Sequence, residues 1–283
     1  MEKIVFECES VTPMFMYGAD GKTPELRPAS VKGVMRFWWR AINGNLPLNE
    51  LRDREGEIFG NTEKKSKVII YPINITKTED FKISTTPHHK KGYCSNNDNS
   101  KGCYFKGNSC MKANQRVGKL YTFVITIDIK SNKYMNREQL KNLFILTTTL
   151  GGLGQRSRRG FGCVHITKVD DINFTPPKTE QEIKEKIDDT FKYDSKINYP
   201  YIQSIQVGNK ADDNYQELLE TIGKTTHTYP DDMFGSGTPR YASPIYISVI
   251  KDGNKYRPII TTLHNTKSID ATKLRKFKEA IIL

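Results

Sequence analysis

The chain has 283 residues, enough for one large domain or two of ordinary size. Lys and Arg number 44 against 32 acidic residues, a formal net charge of +12, which favours a nucleic-acid partner over simple solubility. Residues 1–10 include acidic groups, and no stretch approaches the roughly 18 apolar residues of a membrane-spanning helix, so the sequence predicts a cytoplasmic protein without a membrane partner.

Along the first half of the chain, segments rich in β-branched and aromatic residues alternate with segments of helical period. The pattern predicts strands at 3–8, 67–75, 120–129 and 163–169, helices at 30–42 and 137–150, and a loop at 151–162. Residues 76–119 are polar, lysine-rich and too long for an ordinary connection, which indicates an inserted lobe or loop. This order approximates the βαββαβ pattern of a ferredoxin-like fold.

The second half begins with a predicted linker at 173–181, where Pro176 and Pro177 cannot continue regular structure. Beyond it, the sequence predicts strands at 201–207, 245–250 and 256–263, and helices at 213–223 and 271–282. These elements indicate a second, shorter unit of the same type. We therefore expect an α+β protein of tandem ferredoxin-like (RRM-like) βαββαβ units. The expected domains are 1–172, with a polar insertion at 76–119, and 173–283.

The helix at 30–42 carries a strong functional signal. Ser30 is a good N-cap. Apolar residues recur at helical spacing and predict one buried side, formed by Val31, Val34, Met35, Trp38 and Ile42. Lys32, Arg36 and Arg40, here called the basic face, share the other side without a carboxylate partner inside the helix. This pattern favours a surface that follows phosphates.

Two residues beside the basic face carry further expectations. Trp39 lies at its margin, where it could stack a base. The alternative is a solubilising face with both tryptophans in the core. A glycine in a helix interior lowers the stability of the helix by about 1 kcal/mol relative to Ala. The presence of Gly33 in this helix therefore indicates close approach of another backbone, either protein or RNA.

Residues 151–162, here called the glycine-arginine loop, contain five glycines, three arginines and no acidic residue. Glycine lets backbone N–H groups approach a phosphate, and arginine adds charged donors that match phosphate oxygens. The loop follows a helix and leads into a strand, so it is not a dinucleotide fingerprint, and the chain contains no P-loop sequence. A flexible connection is the alternative to a phosphate-binding loop.

Three segments resemble one known family. ELRPASVKGVMRFWWRAI (25–42) resembles the signature of first subunits of the Cmr complex, which belong to the RAMP superfamily within type III-B CRISPR effector complexes. GGLGQRSRRGFGCV (151–164) resembles the RAMP glycine-rich loop, and GSGTPRYASPIYISVI (235–250) is similar to a segment near that family's C-terminus. The matching positions that imply RNA binding are Arg27, Lys32, Arg36, Trp39, Arg40, Gly151, Gly152, Gly154, Arg156, Ser157, Arg158, Arg159 and Arg240.

The resemblance implies tandem ferredoxin-like folds of the RAMP type, contact with guide RNA and target RNA near the 3′ end of the guide, and assembly with other Cmr subunits. It also implies a non-catalytic subunit, because target cleavage in the family belongs to other subunits. RAMP relatives that process guide precursors typically use a histidine near the first helix, and here none precedes His88. His165, His227 and His264 have no paired nucleophile in the sequence. A metal-independent RAMP endoribonuclease that processes CRISPR RNA and a free-standing RNA-binding protein remain the alternatives.

A cluster of cysteines and histidines lies inside the predicted insertion. Three thiols and an imidazole can close a tetrahedral zinc site, and the metal would then stabilise a polar lobe that lacks a core. The spacing of the cysteines differs from that of a standard zinc knuckle, so exposed thiols in a loop are the alternative. The candidate structural zinc ligands are His89, Cys94, Cys103 and Cys110, with His88 beside them.

Overall fold

A computed structural model describes residues 2–20, 23–82, 117–187, 199–209, 211–229, 236–237, 240–264 and 270–282. The strands are β1 (Glu2–Ser10), β2 (Val68–Ile70), β3 (Asn74–Lys82), β4 (Val117–Ile129), β5 (Val164–Val169), β6 (Ile172–Asn173), β7 (Ile202–Val207), β8 (Ser236–Gly237), β9 (Arg240–Tyr241), β10 (Ile245–Asp252) and β11 (Lys255–Leu263). The helices are α1 (Pro28–Ile42), α2 (Leu48–Phe59), α3 (Arg137–Leu150), α4 (Glu180–Lys186), α5 (Tyr215–Thr228) and α6 (Ala271–Ile282). In these ranges no helix combines the length and the apolar character needed to cross a membrane.

The first sheet is antiparallel and has the strand order of a ferredoxin-like unit. β4 and β5 flank β1, and β4 also pairs with both β2 and β3. The register places Val68 opposite Ile129 and Asn74 opposite Val124, so β2 and β3 follow each other along β4 as one interrupted strand. The predicted βαββαβ order of the first half is therefore confirmed.

The second sheet contains β10, β11 and β7 in that order, all antiparallel. With α5 and α6 these strands follow a βαββα order, which is a ferredoxin-like unit without its fourth strand among the residues described here. The expectation of a second, shorter unit of the same type is confirmed. The domain boundary at 172/173 stays a prediction. Both halves contribute residues to the larger hydrophobic cluster, so the packing of the core does not mark a division there.

The two units pack in layers, and strand β10 shows how. Tyr246 and Ile250 join the larger cluster, together with residues of α1, α3 and the first sheet. Ile245, Ile247 and Val249 point to the other side, where they pack with residues of α5 and α6. The second sheet therefore lies between the α1/α3 layer and the α5/α6 layer, which explains why β10 is almost entirely buried.

The structure differs from the sequence predictions at several boundaries. Helix α1 begins at Pro28, since the missing N–H of proline is tolerated in a first turn, and Ser30 is therefore not the N-cap. The predicted linker contains the start of α4, capped by Thr179 through a hydrogen bond of 3.2 Å from the Glu182 N–H. The predicted insertion begins within β3 and ends within β4. The sequence pattern did not reveal this part of β3, because most of the strand is polar and exposed and so shows no hydrophobic alternation.

Helix α2 is not among the predicted elements at all. Its buried residues include Leu51 and Ile58, but the charged Glu55 lies between them on the same side and interrupts the apolar period. The helix ends where Gly60 takes a positive φ of 82°. The sequence signal for this helix was therefore weak. The helix nevertheless matters for function, because its Glu55 pairs with two arginines of α1.

Candidate nucleic-acid interface

The predicted buried side of α1 is largely confirmed. Val31, Met35 and Trp38 are fully buried, and Val34 and Ile42 are partly buried against the same cluster. The basic face lies on the other side of the helix, where its three side chains are half-buried. The sequence pattern therefore oriented α1 correctly.

The expectation that the basic face lacks a counter-charge is wrong. Arg36 and Arg40 both form ion pairs with the Oε1 atom of Glu55 on α2, at 2.6 Å from the Arg40 Nη1. The Glu55 side chain is 7% exposed, while the two arginine side chains are 38% and 39% exposed. One buried carboxylate thus holds two guanidinium groups whose remaining donors reach the surface.

The basic face keeps a positive charge after this pairing. The Lys32 Nζ donates a hydrogen bond of 3.2 Å to the Ser66 hydroxyl, a neutral partner, and partial burial lowers the pKa of Lys32 from its ordinary value. Three cations and the carboxylate of Glu55 leave a formal charge of +2 on this side of α1. One third of the positive charge of the basic face is therefore neutralised, and α2 holds the two arginines in place.

Trp39 is not an exposed stacking platform. Its side chain is 6% exposed and packs edge-on against Phe59, with ring centroids 6.1 Å apart. Both tryptophans therefore belong to the core, as the alternative expected. Gly33, in contrast, is exposed, and among the described residues outside its own helix turn no atom lies within 4 Å of the position that a Cβ would take. Close approach of this protein's own backbone therefore does not explain the glycine.

The glycine-arginine loop is packed against the protein and is not a flexible connection. The Gly160 N–H donates to the Ile247 carbonyl at 2.8 Å and the Gly162 N–H donates to the Pro13 carbonyl at 2.9 Å, so neither is available to a phosphate. Gly151 and Gly152 are buried as well. These four glycines pack the loop into the fold, so the structure gives no support to the predicted contact of Gly151 and Gly152 with RNA. Only Gly154, with a φ of 92°, is exposed.

The arginines of the loop divide into an inner and an outer group. Arg159 is buried and donates to the Ile245 carbonyl at 3.3 Å and to the Arg158 carbonyl at 3.0 Å. Burial, helped by the charge of Arg158, lowers the pKa of Arg159 to about 10. Its predicted contact with phosphate is wrong, since it ties the loop to β10. Arg156, which has a φ of 61°, and Ser157 and Arg158 are half-buried at the outer end.

The structure brings the outer end of the loop close to α1 through Tyr246. The Arg158 guanidinium lies 4.7 Å from the centre of the Tyr246 ring, and the Phe37 ring centre lies 5.3 Å from it. The sequence reasoning missed Tyr246, although it lies inside the matched segment 235–250.

A second connection joins the loop to the start of α1. Gly154 fits closely against Met16, whose carbonyl accepts a hydrogen bond of 3.0 Å from the Glu25 N–H. Arg27, half-buried, follows two residues later as the N-cap of α1. Gly154 thus lies close to the segment that leads into α1, whereas Arg158 approaches the helix near Phe37, further along it. Arg240 begins β9, and its side chain is outside the described part.

His165 and His264 lie outside α1 and the glycine-arginine loop. His165, on β5, is half-buried, and burial lowers its pKa from the ordinary value. His264 stacks on Tyr201, with ring centres 4.7 Å apart. In the part of the chain that the structure describes, no three potential ligands gather to hold a metal. His89, Cys94, Cys103 and Cys110 fall outside that part, so the zinc site stays a prediction.

Comparisons with known proteins agree with this architecture. A model of the RAMP superfamily matches residues 7–165. The chain is 28% identical over 191 residues to the CRISPR system Cmr subunit Cmr1-2 of Pyrococcus furiosus, a match that covers 61% of this chain and 99% of that protein.

Two solved structures share the fold over nearly the full length. The crystal structure of Cmr1 from Pyrococcus furiosus in its apo form aligns with a TM-score of 0.61 and 20% identity, covering 99% of this chain and 96% of that one. A chain in a cryo-EM structure of the type III-B Cmr-beta bound to cognate target RNA aligns with a TM-score of 0.58 and 13% identity, covering 99% and 98% of the two chains. The predicted fold class is thereby confirmed.

Proposed function

This chain belongs to the RAMP superfamily, and from that premise we propose that it is a non-catalytic RNA-binding subunit of a cytoplasmic type III-B CRISPR (Cmr) effector complex. It binds guide RNA, target RNA or both near the 3′ end of the guide, together with other Cmr subunits. Two likenesses support this proposal. A relative that matches 61% of this chain is named a Cmr subunit, and a chain of similar fold belongs to an assembly bound to target RNA.

The basic face of α1 is the observation that carries the contact with RNA. It keeps a formal charge of +2 even though Glu55 pairs with two of its cations. From Arg27 to Arg40 the helix extends roughly 20 Å, at about 1.5 Å per residue. Arg158, at the outer end of the glycine-arginine loop, adds a positive charge that approaches α1 near Phe37. A row of positive charge of this length suits a sugar-phosphate backbone and gives binding that weakens as salt rises.

The absence of catalysis rests on the placement of the described histidines. A general acid or base must lie within hydrogen-bond reach of the reacting group. His165 is on β5 and His264 stacks on Tyr201, so neither lies on α1 or in the glycine-arginine loop. RNA held along α1 therefore meets arginine, lysine and amide groups, which bind and orient without transferring a proton near neutral pH.

Incubation with CRISPR repeat RNA separates this function from the endoribonuclease alternative. We expect the purified full chain to bind the RNA and leave it intact, with or without a chelator, and to copurify with tagged Cmr subunits. Discrete cleavage products formed without metal would contradict the proposal and favour the endoribonuclease. RNA binding without copurification would instead indicate a free-standing RNA-binding protein.

A further inference from the structure

A cavity of about 410 Å³ opens at the C-terminal end of α1, between α1, α2, α3 and α4. This volume falls within the range of small-molecule sites and is large enough for a nucleobase with its sugar. The residues at its wall that matter for recognition are Trp39, Asn43, Arg54, Tyr134 and Asn142.

Aromatic and apolar groups form part of the wall. Trp39 supplies the small exposed fraction of its ring, and Tyr134 is half-buried. The Arg54 guanidinium lies 5.3 Å from the centre of the Tyr134 ring. Leu143 and Leu146 are buried and close the cavity on the side of α3. Flat aromatic and guanidinium groups beside apolar side chains suit the face of a planar ring.

Two polar atoms of the wall have no hydrogen bond among the described residues, although Arg54 Nη2 pairs with Glu50 and Asn43 Nδ2 donates to the Trp39 carbonyl. Asn142 Oδ1 and Arg54 Nε are both buried, and no hydrogen-bond partner among the described residues reaches either atom. A buried polar atom without a partner is unfavourable, which indicates that a ligand supplies the missing hydrogen bond. An amide side chain is well suited to this, because it can both donate to and accept from the edge of a base.

The cavity lies next to the basic face. Trp39 and Asn43 follow Arg36 and Arg40 by three residues each, so each arginine has a wall residue as its neighbour on the helix surface. An RNA backbone that follows the basic face toward the end of α1 therefore arrives at the opening of the cavity.

We propose that this cavity binds one unpaired nucleobase of the RNA, stacked beside Tyr134 and hydrogen-bonded to Asn142. The inference rests on the proposed RNA-binding function and adds a base-binding site to it. Its chemistry distinguishes this site from the rest of α1, which contacts only phosphates.

Replacement of Asn142 by leucine tests the inference with little risk to folding. Leucine has a similar size, removes the buried amide that lacks a partner and favours a helix, so the variant should be at least as stable as wild type. Gln216→Leu, which replaces an exposed amide on α5, is the matched control. The probe is an oligoadenylate of about 12 nucleotides, together with copies carrying one abasic position at a time.

We expect Asn142→Leu to bind the oligoadenylate about tenfold more weakly than wild type, because one base contact is lost. The slope of log affinity against log salt should not change, since no phosphate contact is affected. An abasic position should weaken binding to wild type but not to the variant.

Three results would overturn the inference, and they are distinguishable. Unchanged affinity of Asn142→Leu with a normal salt slope would remove the base site and leave the RNA-binding function standing. Loss of copurification with Cmr subunits at unchanged RNA affinity would assign the cavity to a protein side chain. Failure of wild type itself to bind RNA would reject the function and the inference together.

Discussion

Replacement of both Arg36 and Arg40 by glutamine is expected to lower the free energy of unfolding by about 3 kcal/mol. The reason is Glu55, whose side chain is 7% exposed and whose carboxylate would lose both charged partners. Removing the partners of a buried charge costs about 3–5 kcal/mol, and the lower end applies because the arginines are partly solvated. Urea unfolding of the full chain measures the change.

Two further variants isolate this cause. Adding Glu55→Gln to the double variant should recover most of the lost stability, because no unpaired charge is then buried. Arg275→Gln on α6 is the matched control, since this arginine is 69% exposed and pairs with Glu279, which is itself 43% exposed. A double variant as stable as wild type would show that Glu55 is not held by these arginines.

Replacement of Gly33 by alanine is expected to act in opposite directions on stability and on RNA binding. The free energy of unfolding should rise by about 1 kcal/mol, because alanine favours a helix interior and nothing lies near its Cβ. RNA affinity should fall roughly fivefold, or about 1 kcal/mol, because the added methyl group occupies the space that the RNA backbone enters.

Comparison of Gly33→Ala with Gly33→Gln sharpens this test. Both substitutions replace glycine by a good helix former, so both should raise stability, while the longer side chain should weaken RNA binding further. Urea unfolding and RNA titration on the same preparations measure the two effects. If the stability rises and the RNA affinity stays at the wild-type value, no ligand approaches α1 at Gly33.

The sequence predicted α1 well because its signal is local. The helical period fixes which residues share a side, and so it placed Lys32, Arg36 and Arg40 together correctly. Their counter-charge could not be predicted in the same way. Glu55 lies 15 and 19 residues beyond the two arginines, on a helix whose position only the folded chain reveals.

The glycine-arginine loop shows the same limit from another side. Its glycines were interpreted as a means of bringing backbone N–H groups to a phosphate, whereas Gly154, Gly160 and Gly162 all take a positive φ inside a packed loop. Composition does not reveal which N–H groups face inward. The carbonyl groups of Pro13 and Ile247, both distant in sequence, accept hydrogen bonds from loop N–H groups that the sequence analysis expected to face a phosphate. Arg159 is buried for the same reason, since β10 packs against the loop.

The order of strands was predictable because β-branched and aromatic residues mark the buried strands, whereas the polar strand β3 carries no such mark. The cavity beside Trp39 was not predictable, because its walls come from four separate helices. Local patterns thus predicted the fold and one surface. Contacts between distant segments decide which of the predicted residues remain accessible to RNA.

RNA titration of Glu55→Gln at several salt concentrations tests the central claim most directly, namely that the basic face binds RNA through its residual positive charge. The substitution raises the net charge of Arg36, Arg40 and residue 55 from one to two. RNA affinity at low salt should therefore rise, and the slope of log affinity against log salt should steepen by about 0.7, although the protein itself becomes less stable. Affinity and slope that equal the wild-type values, or fall below them, would contradict the account.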